Sequence, residues 1–198
     1  LVETLREKQK RGSLLWVLDK TKTAMGARML RNFVEQPLID IDQINERLDA
    51  VEELNQKAIS RDEIREYLNP VYDLERLVSK ISYQTANPRD LIAFKSSLSM
   101  LPHIRSLLAE FESPLLARLY RQLDDLNDLY QLLESAIQEE PPLAMKEGGI
   151  IKDGFHEDVD HFRQAKTEGK TWLTQLEPQE RESAGIRKLK IKYNKGVG

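Results

Sequence analysis

Residues able to do chemistry are few in this chain, and their spacing limits what they can do. There are three histidines, His103, His156 and His161. The last two are five apart, with Asp158 and Asp160 between them. Metal pairs on a helix need a spacing of three or four to share a face, so these read as surface residues. Paired carboxylates occur at Asp124-Asp125 and Glu139-Glu140. A general acid needs a shielded pocket to tune its pKa, and these pairs fall on apparently solvated faces, so no catalytic role is expected. There is no cysteine, which excludes disulfides, thiolate zinc sites and thiol nucleophiles. No Gly-x-x-x-x-Gly-Lys-Ser/Thr loop is present to cradle a phosphate, and Gly148-Gly149 reads as a turn. Trp16 and Trp172 could stack on bases, but each has apolar neighbours, and core packing is the expectation. The reading is of a chain with no catalytic residue, metal site or cofactor of its own.

One pattern stays open. Leu189, Ile191 and Tyr193 alternate with Lys188, Lys190 and Lys192, and Lys195 follows. Period two gives a strand with one apolar and one basic face. The lysines are either solvated residues that guard an edge or a line of ammonium groups for DNA phosphates. The residues alone favour neither.

The elements that must position these groups are helices. Of 198 residues, 40% are apolar, 32% charged and 7% aromatic, a balance that suits long solvated helices. Net charge is −3, but residues 110–140 are acidic and residues 181–195 basic, so only one end is suited to a polyanion. No apolar stretch approaches the ~20 residues of a membrane span, and no secretory signal is visible. With no cysteine, a cytoplasmic location is expected.

Helices are predicted over 24–35 and over 41–57, the second capped by Asp40 with Ile41, Ile44, Leu48, Val51 and Leu54 on one stripe. Ser60 and Glu63 have capping-box form before a short helix over 61–68 that ends at Pro70. A helix over 73–83 follows. Asn87-Pro88 opens the next stripe, from Leu91 to Phe111, which Pro102 should break near 98–102. Ser113-Pro114 repeats the cap signal, with a break expected at Asn127, and Pro141-Pro142 ends this half. A glycine-rich excursion near 148–155 leads to a long helix over 157–183, with Val159, Phe162, Trp172 and Leu176 on one side and Gly169 and Pro178 as liabilities. The terminal strand has no neighbour to pair with, so the chain is expected to be a piece of a longer one.

Seven segments, in order, resemble the core, or lever, domain of the MutS family of DNA mismatch-repair proteins. They are Gly12 to Arg31, Gln36-Pro37-Leu38, the Asn45 to Leu54 helix, Asp73 to Leu77, Ala86 to Leu91, Gly148 to Gly154, and the Trp172 to Ile186 stretch. The last residues, Gly196-Val197-Gly198, depart from the family's pattern. The resemblance implies an all-α fold, a multi-helix core domain with a long lever helix, and short extended excursions near 148–155 and 187–194. It implies a core over 1–145, an ascending lever helix over 146–186, and the truncated start of a clamp over 187–198. It further implies a parent that is a dimeric DNA-sensing ATPase using ATP and magnesium bound elsewhere. Its implied partners are double-stranded DNA, held through the clamp, and a MutL-type protein, with no membrane. Lys188, Lys190, Lys192 and Lys195 lie where the family's chain enters its DNA-contacting clamp. The expected function is mechanical, coupling clamp to ATPase, with no catalysis by this segment. The alternatives are the family's second branch, which lacks the mismatch-reading domain, and a stand-alone helical interaction scaffold.

Overall fold

The structure, a computed structural model, describes residues 1–184. Among them it is all helical and contains no strand. The strand expected near 187–194 and its four lysines lie outside the described residues. The chain forms two compact units, one spanning Leu1–Ile150 and the other beginning at Ile151.

The first unit is a succession of short helices. In order they are α1 (Leu14–Leu18), α2 (Ala24–Glu35), α3 (Ile41–Gln56), α4 (Ala58–Leu68), α5 (Leu74–Ser82), α6 (Pro88–Leu98), α7 (Leu101–Leu108), α8 (Pro114–Gln122) and α9 (Asn127–Ala136). Their starts follow from side chains that accept free amides. Ser13 accepts from Trp16, Thr23 from Gly26, Asp40 from Gln43 and Asp73 from Arg76. Asn87 and Asp90 cap each other's amides at 2.9 Å in both directions, with Pro88 in the first turn. The break expected near Pro102 separates α6 from α7. The break before Asn127 is made by Leu126 in the left-handed region (φ 51°), its amide held by Asp124 at 2.9 Å.

Packing joins α3 to α8, α4 to α7, and α6 to both α5 and α9. Ala50, Ile104, Leu108, Phe111 and Leu116 form one buried cluster, with Leu54, Ile64, Tyr67 and Leu68 against it. Ser97 is fully buried on α6, and its hydroxyl accepts the Tyr72 amide and donates to the Ala93 carbonyl. A buried polar group is tolerated because both roles are filled.

Three local expectations are corrected. The α3 stripe is only partly the packing face: Ile41, Leu48 and Val51 are 72%, 57% and 62% exposed, while Ile44 and Leu54 are half-buried and Ala50, off the stripe, is buried. The face is chosen by polar anchors, because Arg118 of α8 grips Glu46 and the start of α8 docks on Glu53. Ser60 is no cap either. α4 begins at Ala58, and the Ser60 hydroxyl donates instead to the Glu110 carboxylate at 2.6 Å. Ser113 does stand before Pro114 at the start of α8 but makes no side-chain cap bond; its amide and that of Glu112 are bound by Glu53.

Among the described residues the second unit is a turn followed by one helix, α10 (Glu157–Ala184). At 28 residues it is about 42 Å long at the usual rise per residue. Just before the unit, Gly148 and Gly149 both take left-handed φ (76° and 71°), which a side chain would strain.

Candidate functional site

The base of α10 is held by one side chain. Arg163 forms an ion pair with Asp153, pairs with Asp160 at 3.2 Å and donates to the Ile151 carbonyl at 2.9 Å. Asp160 in turn accepts the Gly154 amide at 2.8 Å. Guanidinium geometry suits this, since its planar fork serves several acceptors at once. Above that anchor the helix carries its apolar groups to solvent within its own unit: Phe162 is 73% exposed and Trp172 60%. The expectation that Trp172 packs in a core is therefore overturned: α10 is the one helix among the described residues of its unit. Trp16, 47% exposed, fails the same expectation: α1 has five residues and buries only Leu15. His156 lies 4.0 Å from Asp158 in the turn that leads into α10. Among the described residues no three His, Cys, Asp or Glu side chains gather as a metal site.

The first unit is stiffened by ion pairs between helices. Arg28 of α2 spans Asp73 (2.8 Å) and Glu75 (2.6 Å) at the start of α5, and hydrogen bonds to these carboxylates raise the guanidinium pKa while Asp73 is held below its usual value. Lys95 of α6 meets Glu134 of α9 at 2.6 Å. Lys80 binds Asp90 at 2.8 Å, tying α5 to the cap of α6. The most perturbed acid is Glu53. Burial would raise its pKa, but the amides of Glu112 and Ser113, both at 2.8 Å, and the Lys57 ammonium at 2.9 Å outweigh that and hold it at about 2. None of these groups was marked by sequence reasoning. Apart from Lys57, four residues from Glu53, and Asp90, ten from Lys80, their partners lie 39 to 60 residues away, and no local spacing announces such a pair.

The two carboxylate pairs occupy different settings. Asp124 and Asp125 accept backbone amides in the turn before α9. Glu139 and Glu140 line an open groove in the first unit with Tyr72, Arg89, Pro142 and Glu147. The groove gives an acid no shielding from water. Among the described residues no helix is long and apolar enough to cross a membrane.

Residues 1–193 match the family model described as MutS domain III. The chain is 66% identical over all 198 residues to the DNA mismatch repair protein MutS of Lachnoclostridium phytofermentans, and covers 21% of that protein. It is 50% identical over its full length to the protein of the same name from Acetivibrio thermocellus, and 52% to that from Caldanaerobacter subterraneus subsp. tengcongensis, covering 23% of each. The chain thus spans between a fifth and a quarter of the length of these curated relatives.

Proposed function

The chain belongs to the MutS domain III family, and from that premise we propose that it is the core and ascending lever of a DNA mismatch-repair protein, passing displacement between a DNA clamp and an ATPase carried elsewhere on a longer polypeptide. The supporting observation is α10 itself. A single helix about 42 Å long, fixed at its base by Arg163, has the form of a strut. The first unit is cross-braced by ion pairs between its own helices. On this reading residues 1–145 are the core, 146–186 the lever and 187–198 the start of the clamp. ATP and magnesium belong to other parts of the longer protein, since this sequence offers no phosphate-cradling loop. A second copy of the parent, a MutL-type protein and a cytoplasmic setting complete the reading.

Lys188, Lys190, Lys192 and Lys195 are assigned to the DNA backbone. Four phosphate contacts give an affinity that falls with salt and does not read bases.

The test is made in the full-length protein that carries this segment. A Gly-Gly-Ser insertion after Lys166 should leave DNA binding and basal ATP turnover near their starting values. The effect of mismatched DNA on ATP turnover should be lost, removing a coupling on the order of 1–3 kcal/mol. If that effect survives the insertion undiminished, α10 is not a lever.

A further inference from the structure

The α10 helix is not uniform along its length. From Glu157 to Lys166 it carries an acidic first turn and the Arg163 anchor, and nothing there opposes the helix. From Thr167 onward several weakening features fall together. Three hydroxyls turn back onto the helix: Thr167 donates to the Arg163 carbonyl at 3.0 Å, Thr171 to Thr167 at 3.0 Å, and Thr174 to Lys170 at 2.9 Å. Such back-bonding competes with the backbone ladder and bends helices. Gly169 sits among them, and a Cβ built there would meet nothing within 4 Å, so no close contact within this structure requires a glycine. Pro178 lies inside the helix. It has no N–H to give the Thr174 carbonyl, and its ring crowds that same carbonyl. The helix nevertheless runs on to Ala184, with the Glu177–Arg181 ion pair bridging the proline from the residue before it to one a turn beyond.

We propose that residues 167–178 are a hinge that divides α10 into a fixed base and a short moving end. Sharp helix bends concentrate at proline, at glycine and where side chains enter the ladder, and this stretch holds all three. The hinge is a property of the helix alone. Its use rests on the lever reading: it would give the chain that follows α10 a swing that its base does not share, so the lever would be jointed rather than rigid.

The absence of native cysteine makes the test direct. Nitroxide labels at His161→Cys and Glu182→Cys, both exposed positions, straddle the hinge about 32 Å apart along an ideal helix. Labels at Glu157→Cys and Lys166→Cys, also exposed, lie within the base. Across the hinge the parent chain should give a broad distance distribution. Combined Gly169→Ala and Pro178→Ala should narrow it toward the ideal value. The base pair should be equally narrow in both. Amide exchange over residues 170–177 should slow about tenfold in the double variant, as local opening becomes rarer. Superimposable cross-hinge distributions in parent and variant would overturn the hinge, and so would equal broadening of the base pair. Loss of coupling in the insertion test bears on the lever and leaves these distances unaffected, so the two readings fail separately.

Discussion

Glu53 gathers three partners onto one side chain. It takes two amides from the start of α8 and the ammonium of Lys57, the residue that ends its own helix. Replacing it with alanine strands the partly buried Ser113 N–H and leaves the exposed Glu112 N–H to water, at a cost of about 1–3 kcal/mol. Glu53→Gln should cost less, because one amide oxygen still accepts. The pH dependence has a definite sign. The carboxyl titrates at about 2 in the folded chain against 4.5 in the unfolded one, so its stabilisation is full above the unfolded value and drains away as pH falls from about 4.5 through about 2. Urea titrations at pH 7 and pH 3 should show a smaller acid loss in Glu53→Gln than in the parent. Equal losses would mean that Glu53 is not held as described.

At the scale of the element, the cap of α6 is the clearest case. Asn87→Ala removes the acceptor for the Asp90 amide and should lower the melting free energy by about 1 kcal/mol. Parent and variant melts that coincide would show the cap to be idle. In α10, Gly169→Ala should strengthen the helix by roughly 1 kcal/mol, since the added methyl meets nothing in the structure. Helical content by circular dichroism during a thermal ramp reads this. These two sites also mark what was legible in the sequence. Asp40, Asn87-Pro88, Pro102 and the span of α10 were readable because caps and prolines act within one turn. The packing face of α3 was legible only in part. Apolar spacing pointed to Ile41, Leu48 and Val51, but Arg118 and the amides of residues 112 and 113 bind the Glu46–Glu53 side instead. Ser60 falls inside α4 rather than before it, and Ser113 does precede Pro114 at the start of α8 but makes no side-chain cap bond; both instead engage an acid distant in sequence. Of the candidate site, the length of α10 was legible and its Arg163 anchor was not, because that anchor depends on how the turn at 151–154 folds back.

At the scale of the whole chain, an exposed glycine turn comes just before the boundary between the two units in sequence. Lys146 precedes it in a short stretch, Met145–Glu147, whose residues are all exposed. Limited trypsin should therefore cut first after Lys146, since exposed turns of small residues are where proteases enter. The larger product should keep a cooperative melt. A first cut inside α3 or α6 would contradict the ion-paired first unit. The far-UV spectrum of the uncut chain should be dominated by helix, in keeping with the described residues.

The grip of α3 on α8 also sets a timetable for synthesis. Glu46 waits 72 residues for Arg118, and Glu53 waits 59 and 60 for the amides it holds. At the ~5–20 residues per second of a ribosome, the Glu53 wait lasts on the order of 3–12 s, during which Glu53 has only Lys57 and water to bind. A nascent chain stalled after α4 would carry an α3 that has α4 to pack on but not α8. The polar grip on α3 closes only when the first turn of α8 leaves the exit tunnel.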